Sequence, residues 1–279
     1  MSSGRLSPAR AVWQGNLDGF LERIRENNSA DGKTGLGTLS VRDKCIGLVK
    51  PEYELKSAVC WSAIWCHGGA APARSHQGWR NELYPVSESF HEGPLLLVER
   101  AAATYLGIKA YGVHINGWSR TQQGIELWVA RRSLTKEKWP GKLDHLAAGG
   151  QPHGLSCMEN VVKECGEEAS IPPELAQTAI PTGAVSYTAD QPEGCKRDVL
   201  FVYDLELPED FQPSPRDGEV ESFQRLPLQQ VGELISSTQD FKINCNLVII
   251  DFLVRHGFIT PEHTRYLELV SGLRQGDCS

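Results

Sequence analysis

Lys163-Glu164-Cys165-Gly166-Glu167-Glu168 packs three carboxylates into a turn and a half of helix, shortly after the glycine pair Gly149-Gly150. At 3.6 residues per turn, Glu164 and Glu168 stand one above the other, with Glu167 beside Glu164. Like charges this close repel one another, and a bound cation relieves them. Oxygen-only donors at this density suit a hard divalent ion, Mg²⁺ or Mn²⁺, rather than zinc. Val161, Val162, Cys165 and Ala169 lie mostly on the other side, so the helix can bury one face while presenting acid on the opposite one. A solvated acidic helix face is the alternative reading of the same residues.

Three elements must position these groups. The apolar stretch Leu143–Ala148 reads as a strand ending at the glycine pair, and Gly154 precedes Ser156, a candidate N-cap for a helix over Ser156–Ala169. Pro172-Pro173 then stops the helix, because proline cannot continue it. Such a layout brings backbone groups beside the acids, and a carbonyl from the Gly149 region is expected to join the carboxylates as a metal ligand.

This arrangement resembles the Nudix hydrolase signature, G-x5-E-x7-R-E-U-x-E-E-x-G-U with U aliphatic. Gly149 takes its first position, Lys163-Glu164-Cys165 the R-E-U, Glu167-Glu168 the paired acids and Ile171 the end. Leu155 stands where the first Glu belongs, Lys163 replaces Arg and Ser170 replaces the Gly. Glu159, one turn after Leu155, is the nearest acid to fill the gap. Lysine keeps the charge of arginine and loses its fork, so a looser hold on the glutamates is expected.

The flanks, among them Tyr111–Gly117, Leu127–Ser133, Lys138–Asp144, Asp217–Phe223 and Asn244–Phe252, are similar to those of the thiamin pyrophosphokinase-related Nudix branch. That branch carries an extra N-terminal domain, and its box commonly lacks the first Glu and ends K-E-C-x-E-E-A. The resemblance implies a Nudix α/β/α sandwich around a mixed sheet over 108–260. It also implies a smaller α+β accessory domain (DUF4743-like) over 1–107, with a C-terminal helix and tail over 261–279. The implied activity is Mg²⁺-dependent (or Mn²⁺-dependent) cleavage of a small-molecule diphosphate to a monophosphate. Thiamin diphosphate or its oxo and oxy analogues would be the substrate, and nucleoside diphosphates such as 8-oxo-dGDP the nearest rival. Thiamin pyrophosphokinase itself is a second reading, and a silent binding module, suggested by Leu155 and Lys163, a third.

Within that frame, Glu164 and Glu168 are expected as principal metal ligands, with Glu167 completing the cluster. The water-activating carboxylate comes from these or from Glu219, with Glu221 sharing its face if that strand is regular. Arg132, Lys163, Tyr187, Arg197 and Asn246 are the candidate substrate contacts. For Tyr187 and Trp128 a core role, and for Asn246 a helix-capping role, are the competing readings. Cys165, in an aliphatic slot, should be buried and inert.

The 279 residues are 40% hydrophobic with a formal charge of −7. That charge argues against a nucleic-acid polymer or an anionic membrane as partner, so an anionic substrate has to be met by local cations. Eight cysteines without a short regular framework suit a reducing compartment. A cytoplasmic location is expected, with mitochondrion or plastid as the alternative because the first 17 residues are basic and acid-free. Helical spacing marks Leu17–Asn27, Pro94–Leu106, Leu228–Ser236, Asn244–His256 and Thr264–Leu273. Strands are expected at Cys45–Val49, Ile108–Ile115, Glu126–Arg131, Ala179–Tyr187, Asp198–Leu205 and Val220–Leu226, and a loop over 58–77. Oligomeric state has no signature in the sequence.

Overall fold

The computed structural model describes residues 11–30, 35–41, 44–50, 64–65 and 80–277. Residues 1–10 of the basic, acid-free start and the loop over 58–77, apart from Ile64–Trp65, lie outside them, whereas Trp13 and Leu17 of that same start are buried in a core of the fold. Among the described residues, six helices and twelve strands follow in order: α1 (Asp18–Asn27), β1 (Gly37–Val41), β2 (Lys44–Val49), β3 (Ile64–Trp65), β4 (Leu83–Val86), β5 (Leu96–Glu99), β6 (Lys109–Thr121), β7 (Gly124–Arg132), β8 (Leu143–Asp144), β9 (Ala147–Gly150), α2 (Cys157–Ala169), α3 (Pro173–Ala176), β10 (Ile180–Gln191), β11 (Gly194–Glu206), β12 (Val220–Pro227), α4 (Leu228–Ser237), α5 (Ile243–Arg255) and α6 (Tyr266–Gly272).

The central sheet runs β10-β11-β6-β7-β12, with β8 added on β7 and β9 on β6. Only the β11–β6 pair is parallel among these, which makes the sheet mixed. Alternation along the strands divides its side chains between two cores. On one face Val113, Ile115, Leu146, Tyr203 and Leu205 pack against Val161, Cys165 and Ala169 of α2 and Ala176 of α3. On the other face Leu127, Val129, Val185, Tyr187, Leu200 and Val202 meet Phe20 and Ile24 of α1, Val231 and Ile235 of α4, Val248 and Phe252 of α5, and Leu269 of α6. The result is an α/β/α sandwich. Helix α1, near the start of the chain, shares this second core with α6 near its end.

Upstream of β6, the antiparallel sheet β3-β5-β4 closes a third core of Ile46, Tyr84, Val86, Leu96, Val98, Leu106 and Ile108. The sequence suggests a helix over Pro94–Leu106; the chain instead forms strand β5 and a 3₁₀ turn, Arg100–Ala102. Leu96 and Val98, two apart, are buried on the strand face, and pairing with β3 and β4 outweighs helix propensity. No helix of the described residues is long and apolar enough to cross a membrane. The five described cysteines, Cys45, Cys157, Cys165, Cys195 and Cys245, are free thiols.

Candidate active site

Helix α2 starts where Ser156 leaves the extended region. Its hydroxyl accepts from the Glu159 amide, while the Glu159 carboxylate accepts from the Ser156 amide at 2.8 Å, a complete capping box. Glu159 therefore holds the helix start and does not fill the place left by Leu155, which sits partly exposed in the loop. At the other end Ser170 adopts the left-handed conformation (φ 55°) where the signature has glycine. A side chain there costs roughly 1–2 kcal/mol; the Ser170 hydroxyl donates to the Ser214 carbonyl at 2.9 Å.

Along the helix Glu164 and Glu168 are both 9% exposed and turn toward the β9 glycines. The Ala148 amide donates to Glu168 Oε2 at 2.9 Å. A Cβ placed on Gly149 would overlap the Glu164 carboxylate, so only glycine lets the strand approach so closely. Asn160, fully buried, donates to the Gly150 carbonyl at 2.8 Å and fixes the loop to the helix. Burial, with Asp144 and Glu164 nearby, pushes the Glu168 carboxyl well above the usual carboxylate range. Burial also raises Glu164, against the pull of Lys163. Two buried acids on one helix face, lacking adequate positive charge, match a divalent cation in charge and donor type, so the residues present fit Mg²⁺ or Mn²⁺.

Lys163 sits 2.9 Å from Glu164 Oε1 and 3.1 Å from Glu167 Oε2. Glu167 is about half exposed and lies at the mouth of the cluster rather than inside it. Cys165, as expected, is fully buried, and its thiol is pushed up to about 12 by burial and then by Glu168 and Glu164.

Glu219 precedes β12, and Lys136 Nζ lies 2.6 Å from its Oε2. Burial alone would raise this carboxyl; Lys136, then Arg132 and Arg100, outweigh it and hold it below the usual value. The strand is irregular between Val220 and Ser222, so the expected shared face of Glu219 and Glu221 fails at a bulge.

Three expected substrate contacts, Arg132, Arg197 and Tyr187, make contacts within the fold, as does Trp128. Arg132 donates to Asp144 Oδ2 at 2.8 Å and to the Lys138 and Trp139 carbonyls. Arg197 donates to the Gly107 carbonyl and to Asp277. Tyr187 lies in the core with its hydroxyl on Asp198, and Trp128 is buried with its indole N–H on Ser119. Asn246 is buried within α5 at 3% exposure, one helical turn inside rather than at the cap. Arg132, Arg197, Tyr187 and Trp128 spend their donors within the fold, whereas the buried Asn246 Oδ1 has no hydrogen-bond partner among the described residues.

The sequence reading assigned no role to Asp144. It is buried beside Arg132 and Lys242, and Cys245 Sγ donates to it at 2.8 Å. His145, next in sequence, contacts His114 with 3.2 Å between their Nδ1 atoms. Burial pushes both histidines down, so this pair is neutral. A charged residue inside the apolar stretch Leu143–Ala148 was the available signal for a buried ionic partner.

Tyr84 of β4 lies under the loop: a Cβ on Gly150 would overlap its hydroxyl. Gly150→Ala is therefore expected to displace the Tyr84 ring and lower stability by roughly 1–3 kcal/mol. Denaturant unfolding checks this, and a midpoint equal to the wild type's would refute the contact.

Residues 73–110 match a family described as "Domain of unknown function (DUF4743)". Over 232 residues, 83% of this chain, it is 57% identical to "Nudix hydrolase 20, chloroplastic" and 50% identical to "Nudix hydrolase 24, chloroplastic", both of Arabidopsis thaliana. The chain spans 61% and 62% of their lengths. It is also 43% identical over 214 residues to "Uncharacterized protein YJR142W" of Saccharomyces cerevisiae, covering 71% of this chain and 62% of that one. With such relatives, a mixed sheet between helical layers, and a glycine strand end packed against the glutamates of a capped helix, the chain belongs to the Nudix hydrolase superfamily.

Proposed function

We propose that the protein hydrolyses the phosphoanhydride of a small organic diphosphate, releasing a monophosphate and phosphate. The observation that carries this reading is the pair Glu164 and Glu168, nearly buried, raised in pKa and set against the glycines of β9. These two carboxylates would hold Mg²⁺ or Mn²⁺, with Glu167 at the mouth and a carbonyl of the Gly149 region completing the donors. Such an ion supplies charge neutralisation at the phosphate oxygens and a more acidic attacking water. Lys163 orients Glu164 and Glu167 by its ion pairs. Glu219, kept ionised by Lys136, is the residue to accept the proton of the water. Carboxylates held in place by burial and hydrogen bonds keep their charge without reorganising during the reaction.

Thiamin diphosphate and its oxidised analogues are the proposed substrates, on the similarity of the box and its flanks to that branch. Location in a plastid is proposed ahead of the cytoplasm, because two relatives carry "chloroplastic" in their names. The test offers the purified protein thiamin diphosphate, oxythiamin diphosphate, 8-oxo-dGDP and ADP-ribose with Mg²⁺, and separately thiamin with ATP. Release of thiamin or oxythiamin monophosphate that stops in excess chelator is the expected result. AMP formed only from thiamin plus ATP would overturn hydrolysis in favour of the kinase, and binding without turnover would leave only a silent module.

A further inference from the structure

We propose that Arg100, carried by the β3-β5-β4 sheet, is a contact for the phosphate groups of the diphosphate bound at the α2 site. The inference rests on the hydrolase reading and gives the segment matched to the domain of unknown function a role in that site.

A site built on Glu164, Glu167 and Glu168 repels a polyanion unless cations other than the metal also face it. The obvious basic residues are already used. Arg132 and Lys242 pair with buried Asp144. Arg197 is held by Asp277, and Lys163 by Glu164 and Glu167. Arg100 differs. Its Nη1 donates to Glu82 Oε2 at 2.7 Å, whereas its Nε and Nη2 make no hydrogen bond to the described residues, and the side chain is 45% exposed.

Contacts lead from this guanidinium to the acids. Its Cζ lies 5.9 Å from the centre of the Tyr84 ring. The hydroxyl end of that ring packs on Gly150, and the neighbouring Gly149 packs on the Glu164 carboxylate. Behind Tyr84, the His153 amide donates to the Leu83 carbonyl at 2.8 Å, tying β4 to the same loop. The Arg100 charge acts on both Glu164 and Glu219, the metal-side acid and the candidate base. Its backbone is fixed as well, since the Arg100 amide donates to the Glu82 carbonyl at 2.9 Å.

The chemistry suits a phosphate. A planar guanidinium presents paired N–H groups that match two oxygens of one phosphoryl group, a geometry an ammonium lacks. Glu82 and the Tyr84 ring hold the plane, so the side chain loses little freedom on binding. Glu82 acts here as a positioning residue for Arg100.

Calorimetry with imidodiphosphate, a non-hydrolysable diphosphate, in the presence of Mg²⁺ reads this directly, alongside Mn²⁺ binding measured by electron paramagnetic resonance without the anion. Arg100→Ala is expected to weaken imidodiphosphate binding by about tenfold or more while Mn²⁺ affinity stays within about twofold, as for loss of a charge-assisted hydrogen bond. Arg80→Ala, which removes another arginine of the same region paired with Glu137, should change neither. Undiminished anion binding by Arg100→Ala, or parallel loss of anion and Mn²⁺ binding, overturns the proposal, as does a wild type that does not bind imidodiphosphate. Should Arg100→Ala fail to fold, Arg100→Lys is decisive: weakening of about threefold or more supports the fork, and none overturns it. A wild type that binds imidodiphosphate yet turns over no diphosphate would instead sink the hydrolase reading alone.

Discussion

Glu168→Gln will give a metal-free protein that melts higher than the wild type and an enzyme that turns over about 10²–10⁴-fold more slowly, the range of a lost carboxylate function. The stability gain follows from the burial that raises this carboxyl. A group whose folded pKa exceeds its unfolded value of 4.5 contributes stability that is whole below pH 4.5 and drains as pH rises through the folded value. Metal-free wild type at neutral pH therefore bears a buried charge, or the cost of protonating it, that the amide removes. Glutamine keeps an oxygen for the Ala148 amide, so the hydrogen bond survives. Relief on the order of 1 kcal/mol corresponds to about 2–4 °C in a chain of this size. Mg²⁺ should raise the melting temperature of the wild type and leave the variant nearly unchanged. Thermal scans at pH 5 and pH 8, with and without Mg²⁺, measure all of this. Equal metal-induced shifts in both proteins would remove Glu168 from the ligand set.

Asp144→Asn goes the other way, with a stability loss of about 3–5 kcal/mol, as when one partner is removed from a buried ion pair. Lys242 and Arg132 would remain inside the fold with their shared counter-charge gone. Burial favours the protonated Asp144, yet Lys242, His145 and Arg132 outweigh it and hold the carboxyl well below 3.8. Its contribution is therefore present above pH 3.8 and lost as pH falls through the folded value. Wild type and variant should differ most at neutral pH and converge toward pH 2 in denaturant titrations. Matching midpoints at pH 7 would show that the cations find other partners.

How much the sequence disclosed depends on the range of each interaction. Helix α2 was readable because its signals are local: Ser156 and Glu159 make the capping box, Pro172-Pro173 the stop, and the apolar positions the buried face. Helix α5 showed as an apolar run with a basic end, and it forms over Ile243–Arg255. Strand β5 was missed because Leu95, Leu96, Val98, Ala102 and Leu106 satisfy a helical period, and only pairing with distant β3 and β4 decides between the two. At the candidate site, the clustering of the glutamates on one helix was legible because their spacing is itself the signal. The internal pairing of the basic candidates was not legible, because charge alone does not tell which arginine the fold uses. Arg132 pairs with buried Asp144 and Arg197 with the half-buried Asp277 near the other end of the sequence, while Arg100, in a segment read as a helix, keeps donors unspent.

The shared flank of α1 and α6 has a consequence for biosynthesis. Arg25 of α1 reaches Glu268 of α6, a partner 243 residues downstream, and Phe20 and Ile24 sit in one core with Leu269. As the ribosome extends the chain, the greasy stripe of α1 has no permanent cover until α4, α5 and α6 have emerged. Closure of this flank is therefore a contact of high sequence separation, of the kind that slows folding.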